Sequence, residues 1–321
     1  MIVNLFRQTQ ALSILSVFLL AIGTCSVFSY QEYSELSHGY SPLYKFIFPQ
    51  LLANPFLVKF ITGALVFWQA VRVNKLMVGQ GIYSTNTFYP ALFFVLTIGL
   101  ASDFSPITVA LLFLILSLHK TINCYLAKSA HTLVFESAFL LSIAVLIHPP
   151  FLLFAPLIWI GMSIFSLGDR SYWVLSILGL LCPLIIAYSF GVYAEIQNAN
   201  WRSLYIFLEH EQIPSQFSSF DYLSLFIYGI ALIIATIEVV SSLRKKKIKA
   251  RKSFILILWL LVFQLIFLLV DPSPYSSKLQ VLALPGSIFL SNYYYYKRTT
   301  KWIKTGLYLL VLTALLHLFW V

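Results

Sequence analysis

Long apolar runs separated by short polar connections dominate the chain. Eleven such runs can be laid out: 11–30, 56–71, 88–101, 107–118, 132–147, 151–165, 172–190, 222–240, 254–270, 279–293 and 306–321. Most lack the alternation of a half-buried strand and the one-sided stripe of a soluble helix, which is the pattern of helices apolar all round. A helix spans the hydrocarbon core of a bilayer with about 20 apolar residues. The runs therefore predict an all-α integral membrane protein: a single polytopic domain over 1–321, a bundle of about eleven transmembrane helices, some short or broken. Pro90, Pro156, Pro183 and Pro285 fall inside runs, which membrane helices tolerate where neighbours satisfy the freed backbone groups.

Composition agrees with this pattern. Sixty per cent of the residues are hydrophobic and 10% are charged, against about 25% charged in ordinary soluble domains. The first run, preceded by Arg7, is longer than the apolar region of a signal peptide and is read as an uncleaved span.

Charge sets the orientation. With the N-terminus cytoplasmic, the inner connections hold Arg7, Arg72, Lys75, Lys120, Lys128, Arg170, the basic run within 244–252, and Lys297, Arg298, Lys301 and Lys304. That places 17 of the 21 Lys and Arg inside, as cytoplasmic loops favour. The odd span count then puts the C-terminus outside. The net charge of +10 is thereby explained by topology, and no nucleic-acid partner is called for. The cytoplasmic basic loop 244–252 is expected to hold anionic lipid headgroups.

Two pairs of runs are too short to cross comfortably. Residues 88–101 and 107–118 turn at Asp103–Pro106, and 132–147 and 151–165 turn at His148–Pro150. Either flanking residues lengthen the first pair, or it forms a hairpin shielded by other helices. Short hairpins predict a depression opening outward. Asp103, His148, Asp271 and Lys278 lie at the outer corners, where they are expected to line it as binding residues. Other candidates are the loop acids Glu32 and Glu35, placed to act as a general base or to hold a divalent metal, and Arg202 in an outer-face surface segment over 191–221. No resident cofactor is indicated. Glu136 stands about one turn inside a run, where a carboxylate is a functional candidate by default, with Lys120, Lys128 or Arg170 as partner. Cys25, Cys124 and Cys182 have no metal-ligand or disulfide spacing and read as inert thiols. There is no GxxxxGK[ST], HExxH or GxSxG motif, which sets aside the corresponding phosphate-binding, zinc-protease and serine-hydrolase chemistries.

The segments Phe88-Tyr89-Pro90-Ala91-Leu92-Phe93, Phe104-Ser105-Pro106, Phe135-Glu136-Ser137-Ala138-Phe139 and Leu282-Ala283-Leu284-Pro285 resemble an uncharacterised family of Bacteroidota inner-membrane proteins. That resemblance implies the inner membrane of a bacterial envelope and assigns no residue a role. A looser resemblance is to the C-type polyprenyl-phosphate glycosyltransferases, through the cytoplasmic N-terminus, the acidic first outer loop, the surface helices and the short outward helices. It implies transfer from a polyprenyl-phosphate-linked sugar, with Glu32 or Glu35 as the catalytic carboxylate and Arg202 or Lys278 on the phosphate. The chain departs from that family in lacking a large first outer loop and a paired Asp-Asp or Glu-Asp motif. The expected alternatives are a small-molecule or lipid transporter and a non-enzymatic subunit of an envelope complex.

Overall fold

The computed structural model describes residues 6, 11–25, 55–79, 83, 87–99, 105–127, 129–189, 219–271, 273, 275–296, 306, 308 and 310–312. Among them no strand occurs. Ten α-helices are present: α1 (Ala11–Cys25), α2 (Pro55–Gly79), α3 (Tyr89–Ile98), α4 (Pro106–Asn123), α5 (Ala130–Ile147), α6 (Ala155–Ile164), α7 (Arg170–Ser189), α8 (Ser219–Ser242), α9 (Ile248–Val270) and α10 (Tyr275–Tyr296). A 3-10 turn, Pro149–Phe154, leads into α6, and a shorter one, Leu243–Lys245, follows α8. Ten of the eleven apolar runs thus coincide with helices, and the described residues within 306–312 are helical as well. Five helical stretches are long and apolar enough to cross a membrane: Pro106–Asn123, Ala130–Ile147, Arg170–Ala187, Tyr222–Lys245 and Ile248–Val270. The protein is an all-α membrane protein on that ground.

The boundaries have local causes. Ser105 caps α4: its hydroxyl accepts from the Thr108 N–H at 3.2 Å, and the Thr108 hydroxyl accepts from the Ser105 N–H at 3.2 Å. Pro106 follows at the first helical position, where its missing N–H costs nothing. Helix α5 ends at His148 because Pro149 and Pro150 disfavour its continuation. After α6, Ser166 takes a left-handed φ of 63°. The Leu167 N–H then donates to the Met162 carbonyl at 2.9 Å and that of Ser166 to Ser163 at 3.2 Å, a Schellman closure that satisfies two otherwise orphaned carbonyls.

The centre of the bundle is the pair α3 and α10. All ten residues of α3 are buried, and α10 is buried continuously from Gln280 to Asn292, with α2, α3, α4, α8 and α9 packed against it. The first short pair therefore resolves unevenly. Residues 106–123 make a helix of spanning length, while 89–98 is a ten-residue helix shielded on every side.

Small residues and hydroxyls join the neighbours. A side chain at Gly179 would begin 2.7 Å from the Phe135 carbonyl oxygen, so glycine there lets α7 lie directly on α5. Helices α4 and α5 share buried bonds, with the Ser117 hydroxyl donating to the Ser137 carbonyl at 2.8 Å and the Thr121 and Ser137 hydroxyls 2.6 Å apart. Such contacts hold helices together where lipid is as apolar as the side chains.

In the basic loop, Arg244, Lys245 and Lys247 are exposed, but Lys246 turns inward. Its ammonium donates to the Asn292 Oδ1 at 2.8 Å and sits over the rings of Phe254 (4.7 Å) and Tyr296 (4.5 Å). Burial pushes this lysine down to about 8, partly offset by the Glu238 carboxylate.

Candidate functional site

Three helix ends meet at one end of the bundle. Helix α5 finishes at His148, α9 finishes at Asp271, and Lys278 stands in the first turn of α10. The His148 Nε2 and Asp271 Oδ1 are 3.1 Å apart. Both side chains are almost wholly buried, at 3% and 0% exposure, so water does not screen the pair. Asp271 is also the charged neighbour that bears on the Lys278 ammonium, and Lys278 is fully buried. Edge contacts from Phe151 and Phe267 hold the imidazole, with ring centroids at 5.8 and 6.2 Å. Among the described residues, His148 Nδ1 and Asp271 Oδ2 have no hydrogen-bond partner. The site thus keeps one basic nitrogen and one carboxylate oxygen available, which a closed structural ion pair would have satisfied.

A polar floor adjoins it. The Thr108 hydroxyl donates to the Gln280 Oε1 at 2.6 Å, and the Gln69 Nε2 donates to the Thr108 carbonyl at 2.6 Å. These bonds tie α10, α4 and α2 together at one level, two residues along α10 from Lys278. Gln69 is the fifteenth residue of α2, so about 21 Å of that helix extends beyond this level at 1.5 Å per residue. His148, Asp271 and Lys278 are themselves all buried. Deeper still, Gln264 is fully buried, and neither of its amide atoms has a partner among the described residues.

Of the seven candidate residues, the fold brings His148, Asp271 and Lys278 together. Glu32, Glu35, Asp103 and Arg202 lie outside the described residues, as does the 191–221 segment. Gln280 and Thr108 were not among the candidates. The Ser105-Pro106-Ile107-Thr108 spacing is a readable cap signal. Gln280 gave no local signal, since its role depends on a partner 172 positions away. Cys124 is a free buried thiol. Glu136 is paired with Lys120 at 2.5 Å, at the opposite end of α5 from His148. Among the described residues, no group of three His, Cys, Asp or Glu is placed to hold a metal ion.

What the cluster can do follows from its donors. A histidine fixed through Nε2 by a carboxylate presents Nδ1 as a base. A buried lysine beside a carboxylate supplies a positive charge in a dry setting, where it acts strongly on an anion.

A family model described as a family of unknown function (DUF6427) matches residues 43–321. No curated protein and no solved structure matches the chain.

Proposed function

The chain belongs to this family of unknown function, so no role comes to it from a relative, and we propose from its own residues that it is a glycosyltransferase-like protein of a bacterial inner membrane acting on a lipid-linked sugar. In this reading it crosses the bilayer eleven times, with the N-terminus cytoplasmic and the C-terminus outside. The distribution of Lys and Arg along the sequence supports that orientation, and it turns the His148 end of the bundle outward. The exposed cations of 244–252 then face the cytoplasmic leaflet, where anionic headgroups attract them.

The observation that carries the proposal is the buried meeting of His148, from the α5–α6 connection, with Asp271 and Lys278, from the two ends of the α9–α10 connection. Lys278, with Arg202, holds the phosphate of a polyprenyl-phosphate-linked sugar. Glu32 or Glu35 takes the proton of the acceptor hydroxyl, whose oxygen bonds to the sugar C1. The bond from C1 to the phosphate oxygen breaks, and the lipid phosphate leaves with the electron pair, its charge met by Lys278. His148, oriented by Asp271, hydrogen-bonds the sugar through Nδ1, and Asp103 contributes from the neighbouring connection. The cluster is closed in the structure, so turnover requires it to open.

The test is cellular. Glu32→Gln with Glu35→Gln, and separately Lys278→Met, should remove one envelope glycan while the protein stays in the membrane at its usual level. Unchanged glycans in all variants would sink the proposal.

A second reading has its own support in the occluded cluster and the buried glutamines beneath it. Polar groups at depth and broken or short helices suit a transporter. Purified protein in liposomes would separate the two: substrate flux without product formation favours transport, and a glycosylated product favours transfer.

A further inference from the structure

The opposite end of the bundle carries a second site. Lys120 lies three residues before the end of α4, and Glu136 is the seventh residue of α5. Their side chains are 41% and 47% exposed while bonded to each other. Both helices are of membrane-spanning length and composition. At 1.5 Å per residue, the pair lies about 5–9 Å in from the helix ends, the depth at which headgroups give way to acyl chains. A half-exposed charge pair there is costly against hydrocarbon and is stabilised by a polar ligand.

The surroundings supply a shaped space. Lys120, Phe135, Glu136, Phe139 and Leu140 line a surface depression of about 400 Å³ that is more open than enclosed. That volume lies within the range of small-molecule pockets, about 300–1,000 Å³. Its polarity is graded along the helix. Phe139 and Leu140 follow Glu136 by three and four residues, so they lie on the same face one turn deeper. A cation and an anion mark the shallow end together with the Phe135 ring beside them, and Phe139 and Leu140 form the deep end. Arg72 and Lys75 add positive charge near this end of α4, where their field reaches His119 beside Lys120.

We propose that this groove binds one phospholipid whose headgroup carries a phosphate and a primary ammonium, with the phosphate on Lys120, the ammonium on Glu136, and the first acyl carbons along Phe135, Phe139 and Leu140. Charge complementarity selects this headgroup. A phosphate draws the Lys120 ammonium from Glu136, so a headgroup without an amine then leaves the carboxylate unmatched, and a trimethylated ammonium cannot donate a hydrogen bond to it. The site stands apart from the His148 cluster and does not rest on the reading of that cluster.

The experiment is native mass spectrometry of the purified full chain, with equal amounts of phosphatidylethanolamine, phosphatidylcholine and phosphatidylglycerol added in separate runs. The first is expected to be retained about tenfold more than the others, equivalent to about 1.4 kcal/mol. Glu136→Gln should abolish that preference, and Lys120→Met should lower retention of all three lipids. The exchanged pair Lys120→Glu with Glu136→Lys keeps an ion pair for folding and should restore the preference. Equal retention of the three lipids, a preference that survives Glu136→Gln, or disulfide cross-linking of a Phe139→Cys variant to another polypeptide at the groove overturns the proposal.

Discussion

Replacing Asp271 by Asn keeps the volume at the end of α9 and removes the charge. The carboxylate oxygen 3.1 Å from His148 Nε2 becomes part of a neutral amide. Lys278, fully buried, loses the anion that bears on it. A hydrogen bond to a charged group is worth about 1.5–3 kcal/mol, and breaking a buried pair by removing one partner costs about 3–5 kcal/mol. Solvent screening does not reduce these values, since the pair is at most 3% exposed. We expect a loss of about 3 kcal/mol from these ranges. In a chain of this size that lowers the unfolding midpoint by roughly 4–5 °C. Thermal unfolding in mild detergent, followed by tryptophan fluorescence, reads it directly. Lys278→Met removes the stranded cation, so the double variant should be more stable than the sum of the singles predicts, by about 1–3 kcal/mol. A loss below about 0.5 kcal/mol for Asp271→Asn, or strict additivity with Lys278→Met, would refute the view that the three side chains form one electrostatic unit.

Other predictions test the packing around the site. A side chain at Gly286 would begin 1.8 Å from the Tyr228 hydroxyl oxygen, so Gly286→Ala should lower stability by about 1–3 kcal/mol, and Tyr228→Phe should recover much of that loss in the same melting assay. Thr108→Val removes the hydroxyl that accepts from Ser105 and donates to Gln280, at an expected cost of about 1–3 kcal/mol; Ser105→Ala should cost about 1 kcal/mol through the cap alone. Lys246 is held down to about 8 from 10.5 by burial, so the unfolded chain binds the extra proton between those values. The penalty for its charge is full below pH 8 and is relieved as pH rises towards 10.5, so stability should rise across that window, and Lys246→Met should flatten the profile.

The elements were largely legible in the residues because each is dictated locally. Apolar runs long enough to bury a helix in lipid announce themselves without knowledge of their neighbours. So do Pro149-Pro150 ending α5 and Ser105-Pro106 opening α4. The helix over 89–98 shows where this ends. It is more apolar than α2 or α4, yet it is only ten residues long and wholly enclosed. Enclosure depends on what α2 and α10 place around it, and no local pattern encodes that. The interior polar side chains of α10 are similar, since Gln280 and Asn292 are bonded by partners outside that helix.

The sequence by itself determined the class, an all-α membrane protein, and the positions of His148, Asp271 and Lys278 at the ends of apolar runs. It did so because hydrophobic length, helix-ending prolines and the placement of charge act within a few residues of chain. The tertiary structure alone decided that these three side chains meet, that Gln280 bonds to Thr108, and that Glu136 chooses Lys120. Those outcomes rest on hydrogen bonds and ion pairs between residues 16 to 172 positions apart. Such contacts form only when packing carries distant segments to within about 3 Å of one another.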